Sequence, residues 1–569
     1  MGWIFELRKC RDYHYLYLVQ KARTPKGPRN VRQIYIGTAN RLFETLTRPP
    51  RHLKSFQLGK SAALLHAARR TGLWDALDRR LSRASAHAVW LLLVQILARV
   101  EQPLSREGMS RWFSQSSIPL LAPWSKVPSG ASLRLALREL YGTGREGKNG
   151  PVLDRARVRA IQEDVFRTLR AQGLEPRLLV FDGTNEFFHH QAGRWMRKGK
   201  AKSRRYEKNL VGLGMVTMGT VPVLSEVTTG NRNDMDTFPE IFDALVKRLE
   251  HLDVATEKLY LTVDRGVNST DNFTEVLGTM HIIAQLKRNE AKELFEVPLE
   301  KFRTMGKDTH GKPVLGYASE HEGFERDWRA LVTYRAAEAL YQQKKWEKAE
   351  VKVMLKVARL RRARPHKKQE VAMNKLADLI PKEYRGVFDY GVEEVTVTTP
   401  KRKLVKRFLP RCEVDRKAEA ELRASFGKAA IITDVANATE LPDEELLKAA
   451  VARTEIEEQF KWLKDRYVVS LKPMWVRHDA AVPGHVFLCV MGLTLLRYLQ
   501  WEVRDLDLSV KELVERLGRI RVAVVSQGGQ PGSGGRPGWV LEEMGVGEAE
   551  LVSRFRMLDE LSRENHLAT

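Results

Sequence analysis

Two short apolar runs in this chain each stop at an aspartate: residues 178–181 at Asp182 and residues 259–263 at Asp264. This repeated pattern constrains the fold more than any other feature. A run of four or five aliphatic, β-branched and aromatic residues reads as a buried strand. An ionised carboxylate at the end of such a strand is costly unless something compensates it. One such Asp is often just a loop-starting residue. Two, at the ends of candidate neighbouring strands, point to a shared site. Close carboxylates repel, and one of them would hold its proton. Divalent cations remove that conflict, and hard oxygen ligands suit Mg²⁺ or Mn²⁺.

The surrounding pattern predicts how the strands connect. Residues 210–218 and 221–227 are apolar runs separated by Gly219-Thr220, which reads as a hairpin. A helix is expected over 236–249, a strand over 259–263, a helix over 269–277 and a strand over 282–286. The order strand, strand, strand, helix, strand, helix, strand fits an α/β fold with an antiparallel hairpin followed by crossovers.

A third carboxylate comes from the segment ARTEIEEQFKWLK, inside a helix expected over 444–464. At about 100° per residue, Ile456, Phe460 and Leu463 form an apolar stripe. Arg453, Glu457 and Lys464 fall within roughly 60° of one another at its border. A helix leaning on the sheet would deliver Glu457 to the aspartates, whereas Glu455 and Glu458 point elsewhere. Taken alone, the segment reads better as a solvated helix with an Arg–Glu pair one turn apart. Three carboxylates on an α/β core could hold two Mg²⁺ ions about 4 Å apart, for in-line displacement at phosphorus.

Charge supports a polyanionic partner. The chain has 569 residues, with 96 Lys and Arg against 71 Asp and Glu, a formal charge of +25. Such a surplus points first to nucleic acid, although a merely soluble basic surface would give the same count. The segment RWMRKGKAKSRRYEK, residues 194–208, places Trp195 and Tyr206 among cations. Its Arg194, Arg197, Lys198, Arg204 and Arg205 are candidate DNA contacts, a solvated loop being the bland reading. His189 and His190 lie close by and read as loop residues. Cys10, Cys412 and Cys489 are far apart in sequence, which argues against a zinc knuckle or a disulfide framework. No phosphate-binding Gly-x-x-x-x-Gly-Lys-Ser/Thr loop occurs, so no nucleotide cofactor is expected. The start of the chain lacks an apolar signal core, and the apolar run 486–496 is too short for a bilayer, so no membrane partner and a cytoplasmic location are expected.

The remaining sequence divides into six stretches. Residues 1–50 carry a β-hairpin over 13–37. Residues 51–165 are an α-helical region, a candidate DNA-end-binding domain. There Ser105 caps a second helix after Pro103, either as a helix-turn-helix or as an ordinary packed pair. Residues 166–290 and 441–505 are the two parts of the α/β core. Residues 291–440, with basic runs at 359–368 and 401–407 and short strands near 395–399 and 430–433, read as an inserted domain. Residues 506–569 read as a flexible linker and tail, the Gly-rich run 526–538 being the linker.

Four blocks, in order, resemble the DDE transposases of insertion sequences that carry a Tyr-Arg-Glu-Lys helix motif. They are LLVFDGTNEFF at 178–188, GNRNDMDTF at 230–238, LTVDRGVNSTDNF at 261–273 and RTEIEEQFKWLKDR at 453–466, followed by LKP at 471–473 and Gly484-His485. Arg453, Glu457 and Lys464 keep the family spacing, while the family Tyr position holds Ala450.

The resemblance implies a ribonuclease-H-like mixed sheet core and a catalytic, metal-binding triad of Asp182, Asp264 and Glu457. It also implies Mg²⁺, with Mn²⁺ as a substitute, and phosphate contacts by Arg453 and Lys464. Asn231 and Asp234 match a family motif and take a supporting role, or cap the helix that follows. The 192 residues between Asp264 and Glu457 match the place of the family's insertion. The implied partners are double-stranded DNA, both element ends and target, and a second copy of the chain on that DNA. A catalytically inactive DNA-binding relic or repressor, motivated by Ala450, and a structure-directed nuclease are the alternatives.

Overall fold

The computed structural model describes residues 3–11, 13–24, 27–38, 52–81, 86–123, 126–145, 151–188, 193–199, 209–307, 311–363, 365–398, 402–476, 481–526 and 538–567. The chain forms two compact units. One contains residues 1–141, 465–475 and 495–569; the other contains 142–464 and 476–494.

The second unit is built on one mixed sheet, preceded by a short pair of strands at Tyr141–Arg145 and Pro151–Leu153. Helix α1 (Arg155–Ala171) is capped by Asp154, which accepts from the Arg157 N–H at 3.0 Å. Then come β1 (Leu178–Phe188), β2 (Asn209–Met218), β3 (Val221–Thr229), α2 (Asp234–His251), β4 (Tyr260–Val263), α3 (Thr270–Leu277) and β5 (His281–Gln285). They lie across the sheet as β3-β2-β1-β4-β5. Strand β2 is antiparallel to both neighbours, and β4 and β5 run parallel to β1. This is the ribonuclease-H-like order.

Strand β1 does not stop at Asp182. It continues to Phe188 because β2 pairs it residue for residue, from Leu179↔Met218 to Phe188↔Asn209. Helix α2 packs on the sheet through Phe238, whose ring meets Phe181 edge-on at 5.1 Å. At its far end buried Arg248 donates to the carbonyls of Val223 and Arg159. Burial lowers this guanidinium to about 10.

The stretch expected as an inserted domain divides in two. Strands β6 (Arg303–Lys307), β7 (Pro313–Gly323) and β8 (Arg326–Tyr334) join the core sheet. Between β8 and the sheet's next strand lie α4 (Ala336–Arg362), α5 (Gln369–Leu379), β9 (Phe388–Thr398), β10 (Leu404–Val414) and α6 (Arg416–Ala424). These close a small core of their own around Trp346, Leu376 and Phe388. Strand β11 (Lys428–Thr433) returns between β5 and β8, antiparallel to both. It covers an edge that β5 would otherwise expose. Helix α7 (Asp443–Trp462) then lies on the sheet, burying Leu446, Leu447 and Ala449 against Tyr260, Ile283 and Leu331. Helix α8 (Ala481–Glu502) has the length and apolar composition to cross a bilayer, contrary to the short run expected, yet its apolar window is wholly buried in protein.

The other unit opens with three antiparallel strands, Trp3–Cys10, Tyr13–Thr24 and Gly27–Thr38. The expected hairpin thus gains a third strand. Helices Gly59–Arg70 and Ala86–Glu101 are buried along most of their length. Ser105 caps the helix Arg106–Gln115 as expected, accepting from the Gly108 N–H at 3.0 Å. Residues 506–569 are more than linker and tail. Helix Val510–Arg519 begins with a Ser509–Glu512 capping box, and strand Arg521–Ser526 pairs with both Gly538–Leu541 and His52–Gln57. Residues 527–537 of the Gly-rich run lie outside the described residues.

Candidate active site

The parallel pairing of β1 and β4 sets the site. Tyr260 lies opposite Leu178, Leu261 opposite Leu179 and Thr262 opposite Val180. Continuing that register two places brings Asp264 level with Asp182 on the neighbouring strand. Asp182 is buried, and its Oδ1 accepts from the Gly183 N–H at 2.7 Å. The two strand-end aspartates of the sequence are thus neighbours across one parallel pair.

Glu457 comes from α7. Ile456, Phe460 and Leu463 are buried as the apolar stripe requires. Buried Gln459 fixes the helix to the β2–β3 turn by donating to the Thr220 carbonyl at 2.8 Å. One turn before Glu457, Arg453 turns inward. Its Nη1 donates to Asp264 Oδ1 at 3.0 Å and to Glu457 Oε1 at 2.8 Å. A single nitrogen therefore ties the second aspartate to the glutamate. Ala450, a turn earlier, packs against the core between α7 and the sheet.

Among the described residues no three His, Cys, Asp or Glu groups are gathered around one point as a metal cage. The cation between Asp264 and Glu457 is the Arg453 guanidinium. Two carboxylates that share one positive group mark a place where positive charge is favoured. All three candidate ligands are hard oxygen donors, so the residues fit a divalent cation of the Mg²⁺ class.

Lys464 lies just past the end of α7. Its Nζ donates to Thr184 Oγ1 at 2.8 Å and to the Asn185 carbonyl at 3.3 Å. Helix and strand are thereby tied on both sides of Glu457. Asp234 opens α2, and the cap is Asn233, which accepts from the Asp236 N–H at 2.8 Å. Neither Asn231 nor Asp234 has the capping role the sequence allowed. The Asp234 carboxylate instead faces the backbone beside both aspartates. A Cβ on Gly183 would meet Asp234 Oδ1 at 2.1 Å, and one on Gly266 would meet Oδ2 at 3.4 Å. Gly183, Asn185, Asn231 and Asp234 line a cleft of about 400 Å³. Sequence reasoning missed Thr184, Gln459 and the two glycines; the Asp-Gly at 182–183 and the Asp-x-Gly at 264–266 were the available signals.

The basic segment is partly described. Arg197 and Lys198 are exposed in a short strand paired with Leu210 and Asn209. Trp195 is buried, with the Arg155 and Arg194 guanidinium groups 5.1 and 5.3 Å from its ring centre. Its ring is therefore not presented to solvent among the cations of its segment. Arg204, Arg205, Tyr206, His189 and His190 lie outside the described residues. His485 is buried in α8, 3.7 Å from Cys489 Sγ.

Residues 173–472 match the family model described as the transposase DDE domain, more than half of the chain. The chain belongs to that family. The matched span holds the aspartate strands, α2, the insertion and α7, so the transposase carries all four sequence blocks inside it. No curated protein matches the chain. Among solved structures, a cryo-EM piggyBac transposase synaptic complex with hairpin DNA is similar at 10% identity, over 80% of this chain and 79% of that one, with a TM-score of 0.34.

Proposed function

We propose that this transposase cuts and joins DNA at the ends of its own element by metal-dependent phosphoryl transfer, with Asp182, Asp264 and Glu457 as the catalytic carboxylates. The observation that carries this reading is the parallel register of β1 and β4, together with the Arg453 bridge from Asp264 to Glu457. These three side chains would hold Mg²⁺, or Mn²⁺ in its place, which when bound supplies charge stabilisation and activation of the attacking oxygen. The protein's own part is positioning. Asp182 lies in β1 and Asp264 directly follows its partner β4, and Gln459 and Lys464 clamp the glutamate helix to the sheet. Rigid supports of this kind hold reacting groups in line.

DNA phosphate would lie along Arg453 and Lys464, with Arg194, Arg197 and Lys198 on one flank. Arg204 and Arg205 would extend that flank by sequence. Asp234, with Asn231 beside it, would position the backbone of the aspartate strands. Element ends and target are double-stranded DNA, and two copies of the chain would hold two ends together.

The test is cleavage of a supercoiled plasmid carrying the gene's own flanking DNA, with Mg²⁺ or with EDTA, by wild type and Glu457→Gln. Metal-dependent cuts at the element boundaries, absent in the variant, are expected. Equal cutting by both proteins contradicts the triad, and cuts scattered without regard to the boundaries contradict the end-directed reaction.

A further inference from the structure

We propose that a second copy of this chain pairs with the strand Trp3–Cys10 at its open edge, antiparallel and centred on Leu7, so that two three-stranded sheets become one of six strands. The association needs no DNA and does not depend on the reaction proposed above.

The amino-terminal sheet has the order Trp3–Cys10, Tyr13–Thr24, Gly27–Thr38, so each outer strand is paired on one side only. An unpaired edge is a row of backbone donors and acceptors that another strand can complete. The two edges differ. The Gly27–Thr38 strand carries Pro28 and shifts register against its neighbour twice, at Leu16/Tyr17 and at Gln20/Lys21. Bulges and proline blunt an edge. The Trp3–Cys10 strand has neither, and stays in register with the middle strand from Trp3↔Gln20 to Cys10↔Tyr13. Its side chains alternate between the two faces of the sheet. Trp3, Phe5 and Leu7 share one face and are 43%, 66% and 55% exposed. That apolar row continues onto the middle strand through Phe5↔Leu18 and Leu7↔Leu16. A contiguous exposed apolar row of this kind marks an interaction surface.

Charge selects the occupant and its register. Residues directly opposite in two antiparallel strands share a face, so a two-fold axis normal to the sheet passes through one residue of the strand. An axis at Glu6 sets Glu6 against Glu6, and one at Arg8 sets Arg8 against Arg8. Like charges directly opposite are unfavourable. An axis at Phe5 pairs only residues 3–7. An axis at Leu7 pairs residues 4–10, with Leu7 against Leu7 and Ile4 against Cys10. It also sets Glu6 of each copy against Arg8 of the other. Within one copy Glu6 already accepts from Arg8 Nε at 3.2 Å, and both side chains stay partly open to water. The second copy therefore closes a ring of four alternating charges. A foreign strand would have to present the same charges in the right order, whereas the chain's own strand run backwards does so by symmetry. An interface built on one short strand is small, so the dimer depends on protein concentration.

The experiment is sedimentation velocity on the full-length protein, without DNA and with EDTA, over a wide concentration series at one salt concentration. Wild type is compared with Glu6→Arg, with Arg8→Glu and with the charge-swapped Glu6→Arg/Arg8→Glu. Thermal melting followed by circular dichroism should be the same for all four proteins. Wild type should pass from monomer to dimer mass as concentration rises. Each single variant sets like charges opposite one another twice, and should raise the dimer dissociation constant at least about tenfold. The double variant should return it to the wild-type range. Arg8→Glu also removes the cation packed 4.7 Å from the Tyr17 ring centre, so recovery in the double variant is the result that a merely local effect would not give. Wild type that stays monomeric throughout would overturn the proposal. So would single variants that dimerise like wild type, because another surface would then join the copies, or a double variant that fails to recover.

Discussion

The core sheet of the larger unit and the amino-terminal sheet are both made of strands rich in aromatic and β-branched residues, yet the two differ in what surrounds them. In the core, β1 buries Leu179, Val180 and Phe181. In the amino-terminal sheet, Phe5 is 66% exposed. Strands buried on both faces can carry a charge only where something compensates it, and the core brings two aspartates level through the parallel register of β1 and β4. Strands open to water can carry cations anywhere, and these do. The core sets Arg453 between Asp264 and Glu457, whereas residues 3–38 of the amino-terminal sheet carry eight Lys and Arg against two Asp and Glu.

Breaking the acidic rim should have the largest effect. Asp182→Asn and Glu457→Gln should each lower strand cleavage on the order of a thousandfold while duplex binding in EDTA persists, as product gels and anisotropy would show. The two sheets should next differ in stability. Phe181→Ala should cost about 3–5 kcal/mol in urea unfolding, against less than about 0.5 kcal/mol for Phe5→Ala. Comparable losses would show that the amino-terminal sheet is packed as tightly as the core. Gly183→Ala places a methyl on the Asp234 carboxylate and should cost about 1–3 kcal/mol, with activity falling in step. Retained stability and activity would remove Asp234 from the site's support. The smallest effect concerns the cation already in the rim. Arg453→Gln should tighten Mn²⁺ binding in the absence of DNA about tenfold, by titration calorimetry, because a positive charge beside the carboxylates is removed. Weaker binding would mean that Arg453 organises the carboxylates and does not compete with the metal.

Much of the core was legible because its signals are local. Apolar runs bounded by turn residues located β1 to β5, and the stripe of Ile456, Phe460 and Leu463 located the helix face. The aspartates could be paired on paper because each follows a run of the same kind. What the sequence hid depends on distant partners. The extension of β1 past Asp182 requires β2, and the strand Trp3–Cys10 requires its neighbour. Strands β6 to β8 are alternating and half-polar, so nothing local tells that they extend the core sheet rather than a separate domain. The strand Arg521–Ser526 finds a partner more than 450 residues away, at His52–Gln57, which no window can detect. At the site, the spacing of Arg453 and Glu457 allowed an ion pair on a solvated helix. The added bond to Asp264, which makes Arg453 a bridge, depends on tertiary placement. Trp195 differs for the opposite reason: its basic neighbours read as a solvated segment, but the ring is buried between Arg194 of that segment and Arg155 of α1.

The central claim is that one cation-binding rim is formed by Asp182, Asp264 and Glu457. Anomalous diffraction from Mn²⁺-soaked crystals of the protein bound to a flanking-DNA duplex tests it most directly. Manganese peaks within coordinating distance of all three carboxylates, with Arg453 moved off Asp264 and Glu457, are the predicted result. Peaks held by other residues, or none near these three while Mn²⁺ supports cleavage, would contradict the account.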